Sequence, residues 1–264
     1  MTGASAGIGE ATARRLAREN DARLVLVARR EDRLRRLADE LGVPVTVVAL
    51  DLTDDEAPAR IREMLESEHQ GRLHLLVNNA GSAWRGSFAD TGWANVERHL
   101  KLNLEAPLKL THELLPMLRA TARDNTSGRR VAIVNVASTA ARVSRPNSGS
   151  YSVSKFALAG WNDALHNEEA PNGVHVGMVL PGFIKTEGFP ATELLSNPMT
   201  RWIVSPPERV AEAIVEVGPG GKAERYVPRP YWLAAALRIL APGLVRRSTA
   251  GGGFTTATSA KHDD

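Results

Sequence analysis

Five short, almost continuously apolar runs recur along this chain of 264 residues, and segments of helical length separate them. The runs are rich in Val, Leu and Ile and span 22–28, 43–50, 73–79, 130–137 and 174–181. Strands of a parallel sheet have this composition, because helices cover both faces of such a sheet. The alternation therefore predicts a doubly wound α/β fold with right-handed crossovers.

Helical patterns fill the intervals between these runs. Amphipathic stretches predict helices over 9–20, 31–41, 55–69, 94–122, 151–169 and 206–217, and a last strand over 224–228. Together they define one expected catalytic domain, residues 1–228. An apolar helical extension over 229–247, broken at Pro242, follows this domain. The Gly/Thr/Ser-rich segment 248–264 is expected to be disordered.

The composition excludes several classes of protein. The net charge is only +3 and no basic stripe with interleaved aromatic residues occurs, so nucleic acid is not an expected partner. The chain has no cysteine, which rules out disulfides and fits the cytoplasm, the expected compartment. The sequence contains no run of about 18 apolar residues, so no transmembrane helix is predicted. The histidines show no ligand spacing, and no metal is expected.

A glycine-rich turn opens the chain. The stretch TGASAGIG places glycine at positions 3, 7 and 9, just before a predicted helix. Glycine permits a tight turn and close backbone approach to a pyrophosphate, which the first N–H groups of the helix can bind. Three glycines in so short a span also occur in ordinary turns. The residues expected to bind a dinucleotide are Thr2, Gly3, Ser5, Gly7, Ile8 and Gly9.

The end of the next predicted strand, VARRE, indicates which dinucleotide is bound. An acid here binds the ribose hydroxyls of NAD, whereas an arginine accommodates the 2′-phosphate of NADP. Ala28 stands in the place of the acid, and Arg29 and Arg30 follow it. The sequence predicts NADP(H) in preference to NAD(H), with Arg29 the main contact and Arg30 secondary. Alternatively, both arginines are solvated residues at a helix entry.

Two further strand ends carry candidate cofactor contacts. In LDLTD, Asp51 is placed to accept a hydrogen bond from the adenine amino group, with Leu52 beside the ring. Equally, Asp51 or Thr53 is suited to cap the helix that follows. In NNAG, the asparagines, Asn79 among them, can pin the loop between two strands. Ala80 and Gly81 complete this loop, and the glycine lets the backbone pass close to the cofactor.

The segment NVASTAARVSRPNSGSYSVSK contains the candidate catalytic residues. Ser138 ends a predicted strand, and Tyr151 and Lys155 are four residues apart at the start of a helix, so both lie on one helix face. A nearby ammonium favours the phenolate of a tyrosine, whose ordinary pKa is near 10. Tyr151 would exchange a proton with the substrate oxygen, Ser138 would hold that oxygen, and the cofactor would carry the hydride.

In this order the motifs resemble those of the short-chain dehydrogenase/reductase family, in its compact single-domain branch with a Rossmann-like fold. The resemblance covers residues 2–186. It rests on T-G-x-x-x-G-x-G from Thr2, N-N-A-G from Asn78, Ser138, and Y-x-x-x-K from Tyr151. These motifs together are specific for the family but not for a substrate.

The resemblance implies further roles. Asn103, in KLNLEAP, matches the asparagine that helps to hold a water connecting the family's lysine to solvent. Lys155 would also bond the nicotinamide ribose. Pro181, Gly182 and Thr186 match the P-G-x-x-x-T loop that meets the nicotinamide carboxamide. A homodimer or homotetramer formed through the two long helices, 94–122 and 151–169, is also implied.

The N-terminus departs from the family pattern. The family's first strand precedes the glycine loop at the centre of a sheet of order 3-2-1-4-5-6-7, whereas only Met1 precedes Thr2 here. A strand of about six to eight residues is therefore expected to be missing or truncated. Each neighbouring backbone group left unpaired would cost about 1–3 kcal/mol. The resulting hypothesis is that the natural start lies upstream.

The substrate side carries apolar residues. An apolar lid is expected from Phe183, Phe189, Leu194, Leu195, Met199 and Trp202, although ordinary loop packing explains any one of them equally well. The extension 229–247 has three interpretations. It closes the substrate pocket or forms a subunit contact, it lies on a membrane surface, or it caps the core.

Three functions are consistent with these patterns. The leading hypothesis is an NADP(H)-dependent oxidoreductase that interconverts a secondary alcohol and a ketone or aldehyde on a small to medium apolar substrate. The first alternative is a non-catalytic dinucleotide-binding protein or a truncated inactive form. The second is a sugar-nucleotide epimerase or dehydratase, although those enzymes resemble a longer branch with a larger C-terminal domain.

Overall fold

Parallel strands form the centre of the fold, as the alternation of apolar runs predicts. The computed structural model describes residues 1–189, 191–197 and 201–250. Within these ranges the strands are β1 Leu24–Ala28, β2 Val45–Ala49, β3 Leu75–Asn78, β4 Val131–Val136, β5 Val174–Pro181, β6 Phe183–Ile184, β7 Val204–Ser205 and β8 Glu224–Val227. Strands β3, β4, β5 and β8 form a four-stranded parallel sheet in the order β3-β4-β5-β8.

A second parallel pair, β1 and β2, lies beside this sheet, and the first two residues join them. The N–H of Thr2 donates to the carbonyl of Val77 in β3 at 3.0 Å. The N–H of Val27 in β1 donates to the carbonyl of Met1, also at 3.0 Å. The order β2-β1-(Met1 and Thr2)-β3-β4-β5-β8 is thus the expected 3-2-1-4-5-6-7, with the first strand reduced to an isolated bridge between Thr2 and Val27.

Helices cover both faces of the strands. They are α1 Gly7–Leu16, α2 Glu31–Leu41, α3 Ala57–His69, α4 Phe88–Leu100, α5 Ala106–Arg123, α6 Gly149–Glu169, α7 Thr192–Ser196, α8 Pro207–Val217, α9 Tyr231–Leu240 and α10 Pro242–Ala250. Buried side chains of α8 pack on β3, β4 and β5 from one side, and those of α3, α5 and α6 pack from the other. Burial on both faces explains why the strand sequences are almost wholly apolar.

The prediction of one continuous helix over 94–122 is wrong in its start and in its continuity. The helix begins earlier, at Phe88, and a π-helical turn over Lys101–Glu105 separates α4 from α5. Pro107 lies in the first turn of α5 and has no N–H to give to the carbonyl of Asn103, so the regular ladder is interrupted there. The interruption places Asn103 in an irregular turn, which is a common setting for a functional residue.

The C-terminal extension is helical and is broken at Pro242, as predicted. Two helices, α9 and α10, occupy it, and Pro242 begins the second of them. Proline fits a first helical turn, where no intrahelical donor is needed. The disorder expected from Ser248 is wrong for 248–250, which belong to α10, and 251–264 lie outside the described residues. No helix in the described ranges is long and apolar enough to cross a membrane.

Candidate active site

Two glycines of the glycine loop stand where the structure leaves no space for a side chain. Gly3 has a φ of +66°, and a Cβ there would lie 2.9 Å from the Cα of Ala80. A Cβ on Gly9 would lie 2.0 Å from the carbonyl oxygen of Gly3. Helix α1 begins at Gly7, so its unpaired N–H groups face this turn. The two glycines therefore allow a tight turn, and the helix N–H groups beside it are suited to bind a phosphate group.

Thr2 ties the glycine loop to the NNAG loop. Its Oγ1 accepts hydrogen bonds from the N–H groups of Asn79 and Ala80, both at 3.0 Å. The side-chain amide of Asn79 donates back to the carbonyl of Thr2 at 3.0 Å. On the other side, a Cβ on Gly7 would lie 3.1 Å from Cγ2 of Thr186. The structure thus brings three motifs from distant parts of the chain to the same end of the sheet.

A chain of buried amides lies beneath these loops. Nδ2 of Asn78 donates to Oγ1 of Thr111 at 3.0 Å and to Oδ1 of Asn135 at 2.9 Å. Nδ2 of Asn135 in turn donates to Oδ1 of Asn162 at 2.9 Å. These buried hydrogen bonds hold β3, β4, α5 and α6 against one another. Sequence reasoning missed Asn135 and Asn162, although an asparagine inside the apolar run VAIVNV was a visible signal.

The arginines after β1 lie beside the glycine loop. Arg29 has a side chain that is 78% exposed, and its Nη1 lies 3.7 Å from Oδ2 of Asp51. Arg30 is held closer to the loop, since its guanidinium donates to Oγ of Ser5 at 3.2 Å. Oδ1 of Asp51 accepts from the N–H and the Oγ1 hydroxyl of Thr53 at 2.9 and 2.8 Å, within the turn before α3. The prediction that either residue caps the helix is wrong, because α3 begins at Ala57 with Glu56 at its N-cap and no side-chain cap. The adenine contact of Asp51 stays a prediction, as does that of Leu52.

Ser138 and Tyr151 meet where β4 ends and α6 begins. Oγ of Ser138 accepts from the N–H of Ala140 at 3.1 Å and donates to the carbonyl of Pro181 at 3.4 Å. Burial raises the pKa of Tyr151, while a hydrogen bond with Ser138 and the charges of Arg85 and Arg145 act to lower it. The upward direction differs from the expected lowering by Lys155, because the loss of solvation outweighs the nearby positive charge.

Lys155 is buried one helical turn beyond Tyr151. Its side chain is 4% exposed, and Nζ donates to the carbonyl of Val136 at 3.0 Å. Nζ lies 5.9 Å from the centroid of the Tyr151 ring. Burial lowers the pKa of Lys155 to about 8. The ammonium is therefore fixed beside the tyrosine but held at the end of β4.

Asn103 is fully buried in the π-helical turn. Its Oδ1 accepts from the N–H of Ser82 at 2.9 Å, and its Nδ2 donates to the carbonyl of Ser82 at 2.9 Å and to Oγ of Ser154 at 3.2 Å. A Cβ on Gly81 would lie 2.9 Å from Oδ1 of Asn103 and 3.5 Å from Nζ of Lys155. The asparagine and the lysine therefore converge on the backbone of Gly81.

A cavity of about 750 Å³ lies at this end of the sheet. Ser138, Tyr151 and Lys155 line one of its walls, which we call the catalytic wall. The opposing apolar wall is lined by Phe183, Phe189, Trp202, Ile203, Tyr231, Leu233, Leu237 and Val245. Helix α9 approaches closely, since a Cβ on Gly182 would lie 2.1 Å from Cε2 of Tyr231. Of the residues expected in a lid, Leu194 packs with Phe183, and Met199 lies outside the described residues.

Three arginines that sequence reasoning missed also line the cavity: Arg85, Arg142 and Arg145. Nη2 of Arg142 lies 3.0 Å from Oε2 of Glu224. The guanidinium carbon of Arg145 lies 4.5 Å from the centroid of the Phe183 ring, and that of Arg85 lies 5.1 Å from the Phe189 ring. Two of the three precede Tyr151 by fewer than ten residues, in the segment that starts at Ser138.

The ring of His99 packs against the ring of Tyr151. Its Nδ1–H donates to the carbonyl of Asn95 at 2.5 Å, and its Nε2 accepts from the N–H of Trp84 at 3.0 Å. Burial lowers the pKa of His99, and its ring centroid lies 6.0 Å from that of Tyr151. Both ring nitrogens are occupied, so His99 is a neutral core residue that packs against Tyr151.

Comparison with known proteins places this site in a family. A family model described as short chain dehydrogenase matches residues 1–193. The chain therefore belongs to the short-chain dehydrogenase family, and it is an oxidoreductase that acts on CH–OH or carbonyl groups.

Individual relatives support the same family. The chain is 32% identical over 219 residues to the ketoacyl reductase HetN of Nostoc sp., covering 82% of this chain and 73% of the relative. A 3-ketoacyl-(acyl-carrier-protein) reductase from Brucella melitensis, solved with NADH, has a TM-score of 0.75 and 27% identity, with 85% of this chain and 93% of that one covered. An L-sorbose reductase from Gluconobacter frateurii, solved with NADPH and L-sorbose, has a TM-score of 0.73 and 28% identity, with coverages of 86% and 92%.

Proposed function

We propose that the protein is an NADP(H)-dependent oxidoreductase that interconverts a ketone or aldehyde and the corresponding alcohol. The observation that carries the proposal is the single cavity shared by Tyr151, Ser138 and Lys155 with residues of the cofactor motifs. Ile8, Asn79 and Thr186 line this cavity together with the catalytic wall. The large apolar wall supports a small to medium apolar substrate body.

The residues present fit a nicotinamide dinucleotide. Gly3 and Gly9 let the glycine loop pack tightly on itself and on the loop of Asn79 and Ala80, and the start of α1 would supply N–H groups for the pyrophosphate. Asn79, Ala80, Gly81, Pro181, Gly182 and Thr186 would hold the nicotinamide half. When bound, the cofactor supplies or accepts a hydride.

The catalytic wall performs the proton chemistry in this proposal. Tyr151 donates a proton to the substrate oxygen during reduction, while Ser138 holds that oxygen by a hydrogen bond. Lys155 places a positive charge beside the tyrosine and favours its deprotonated form. Asn103 positions Ser82 and Ser154 and so fixes the turn in which it lies.

The test is a screen of carbonyl compounds with NADPH and NADH, including ketoacyl thioesters and ketoses because the relatives are named for these substrates. Tyr151→Phe should lower kcat by about 10²–10⁴-fold and leave the dissociation constant of NADPH unchanged. Tyr231→Phe is the matched control, since it removes a hydroxyl from the same cavity. Full activity of Tyr151→Phe would disprove the assigned role.

The preference for NADPH is a proposal of its own. Arg29 and Arg30 both flank the glycine loop, and Arg30 contacts Ser5 within it. The double variant Arg29→Ala with Arg30→Ala should raise KM for NADPH about tenfold or more and change KM for NADH by less than threefold. Arg36→Ala on the outside of α2, where the guanidinium pairs with Asp32, is the control. Equal loss with both cofactors would contradict the preference.

Self-association is proposed through the two long helices. Val153 and Phe156 are exposed on α6, at 50% and 45% of their surface, although both are large and apolar. Sedimentation velocity should show a dimer or tetramer. Val153→Glu with Phe156→Glu should shift the protein toward the monomer, and an unchanged sedimentation coefficient would contradict this surface.

We propose that the outer face of α9 and α10 contacts an anionic membrane surface. Large apolar side chains that do not line the cavity are exposed there: Trp232, Ile239, Leu240 and Leu244. Four arginines and no acidic residue lie within 229–250. Apolar residues beside basic ones are typical of helices that lie on anionic lipid. The protein should sediment with vesicles that contain phosphatidylserine and not with neutral vesicles, and failure to bind the anionic vesicles would contradict the proposal.

A further inference from the structure

We propose that Arg145 binds an anionic oxygen group, a carboxylate or phosphate, on the carbonyl substrate. The inference rests on the proposed function and narrows its substrate class to ketones or aldehydes with an apolar body and one negative charge. Arg145 lines the cavity that holds Ser138 and Tyr151, and it lies six residues before the tyrosine. It would thus be a specificity-determining residue.

The position of Arg145 is fixed before any substrate binds. The backbone turns at Ser148, whose Oγ accepts from the N–H of Arg145 at 3.3 Å and donates to its carbonyl at 2.8 Å. The guanidinium lies over the face of Phe183. Stacking of this kind holds the planar group in place while leaving its N–H donors free to point along the ring plane. A fixed guanidinium loses little entropy when it binds a carboxylate or phosphate.

The charges around Arg145 do not neutralise it. Among the described side chains, no carboxylate lies within ion-pair distance of Arg145, whereas its neighbour Arg142 pairs with Glu224. Burial lowers the pKa of Arg145, and the positive charge of Arg85 acts in the same direction. The side chain is half-buried in a mostly apolar wall. A positive charge in such a setting favours the binding of an anion, because the low local dielectric strengthens their attraction.

A second role for Arg145 would give a different experimental result. The charge of Arg145 also acts to lower the pKa of Tyr151. Its role could therefore be to favour deprotonation of Tyr151, without any contact with the substrate. In that case its loss would slow every substrate equally and would shift the pH profile of the reaction. An anion subsite instead predicts a loss confined to charged substrates, mainly in KM.

The test compares a keto acid with its methyl ester, and a phosphorylated ketone with its unphosphorylated form. Arg145→Met should lower kcat/KM for the charged member of each pair by about 10- to 100-fold and change the neutral member by less than threefold. Arg145→Lys should recover part of the loss. Arg98→Met is the matched control, since Arg98 stacks on Trp84 at 4.6 Å and does not line the cavity.

Two results would overturn the inference: an equal loss on charged and neutral substrates, or no loss on either. A binding measurement separates this inference from the proposed function. Calorimetry with the keto acid should show weaker binding to Arg145→Met than to the parent protein, without any turnover. If no carbonyl compound is reduced but this difference persists, the anion subsite stands and the proposed reaction fails. If carbonyl compounds are reduced but the difference is absent, only the anion subsite fails.

Discussion

The two walls of the cavity are built in different ways. On the catalytic wall, polar groups are buried and bonded to backbone atoms: Nζ of Lys155 donates to the carbonyl of Val136, and Oγ of Ser138 donates to the carbonyl of Pro181. On the apolar wall, α9 and α10 contribute packing contacts, and their outer side chains reach exposures of 78% at Ile239 and 82% at Leu240. Directed hydrogen bonds tolerate little change, whereas apolar packing accepts many side chains of similar volume. We therefore expect the catalytic wall to tolerate fewer substitutions than the apolar wall.

The largest effect on stability is expected at Asn103. Asn103→Ala removes the partners of the Ser82 N–H and carbonyl, and leaving two such groups unsatisfied costs about 4 kcal/mol. Denaturant unfolding should show this loss together with reduced activity. Ser154→Ala, which removes only one of the bonds of Asn103, should cost about 1 kcal/mol. Equal stability of both variants would show that the π-helical turn is not held by this side chain.

A smaller effect, dependent on pH, is expected at Lys155. Its pKa is about 8 in the folded protein, against an ordinary value of 10.5. Between these values the unfolded chain binds more protons, so the free energy of unfolding should rise with pH. From pH 8 to pH 10 the rise from this residue is about 2 kcal/mol, and it should be absent in Lys155→Met. The measurement is the difference in unfolding free energy between the two proteins at each pH, and a constant difference would mean that Lys155 titrates as it does in water.

The smallest effect is expected on the outside of the apolar wall. Ile239→Ser should change the free energy of unfolding by less than about 0.5 kcal/mol, because the side chain is exposed. The same change should weaken sedimentation with anionic vesicles. Ala235→Ser, at a buried position of the same helix, should instead destabilise the protein and is the control. A large loss of stability in Ile239→Ser would mean that the two walls are equally constrained.

The sequence predicted the order of the elements but not the details of their ends. Five of the six main strands and their parallel arrangement follow from apolar runs, which are local patterns. The division of 94–122 at the π-helical turn depends on one proline and on the partners that Asn103 finds in Ser82 and Ser154, and these lie more than twenty residues away on either side. Periodicity carries no information about such partners.

What the sequence determined by itself is the catalytic wall. Tyr151 and Lys155 share a helix face because of their spacing, and Ser138 follows an apolar strand that had to end at the same edge of the sheet. The tertiary structure alone decided which side chains from other elements contact one another around it. It brought Tyr231 onto Gly182, Arg145 onto Phe183 and His99 against Tyr151. These contacts join residues that are far apart in the chain, and they depend on how whole elements pack rather than on any local pattern.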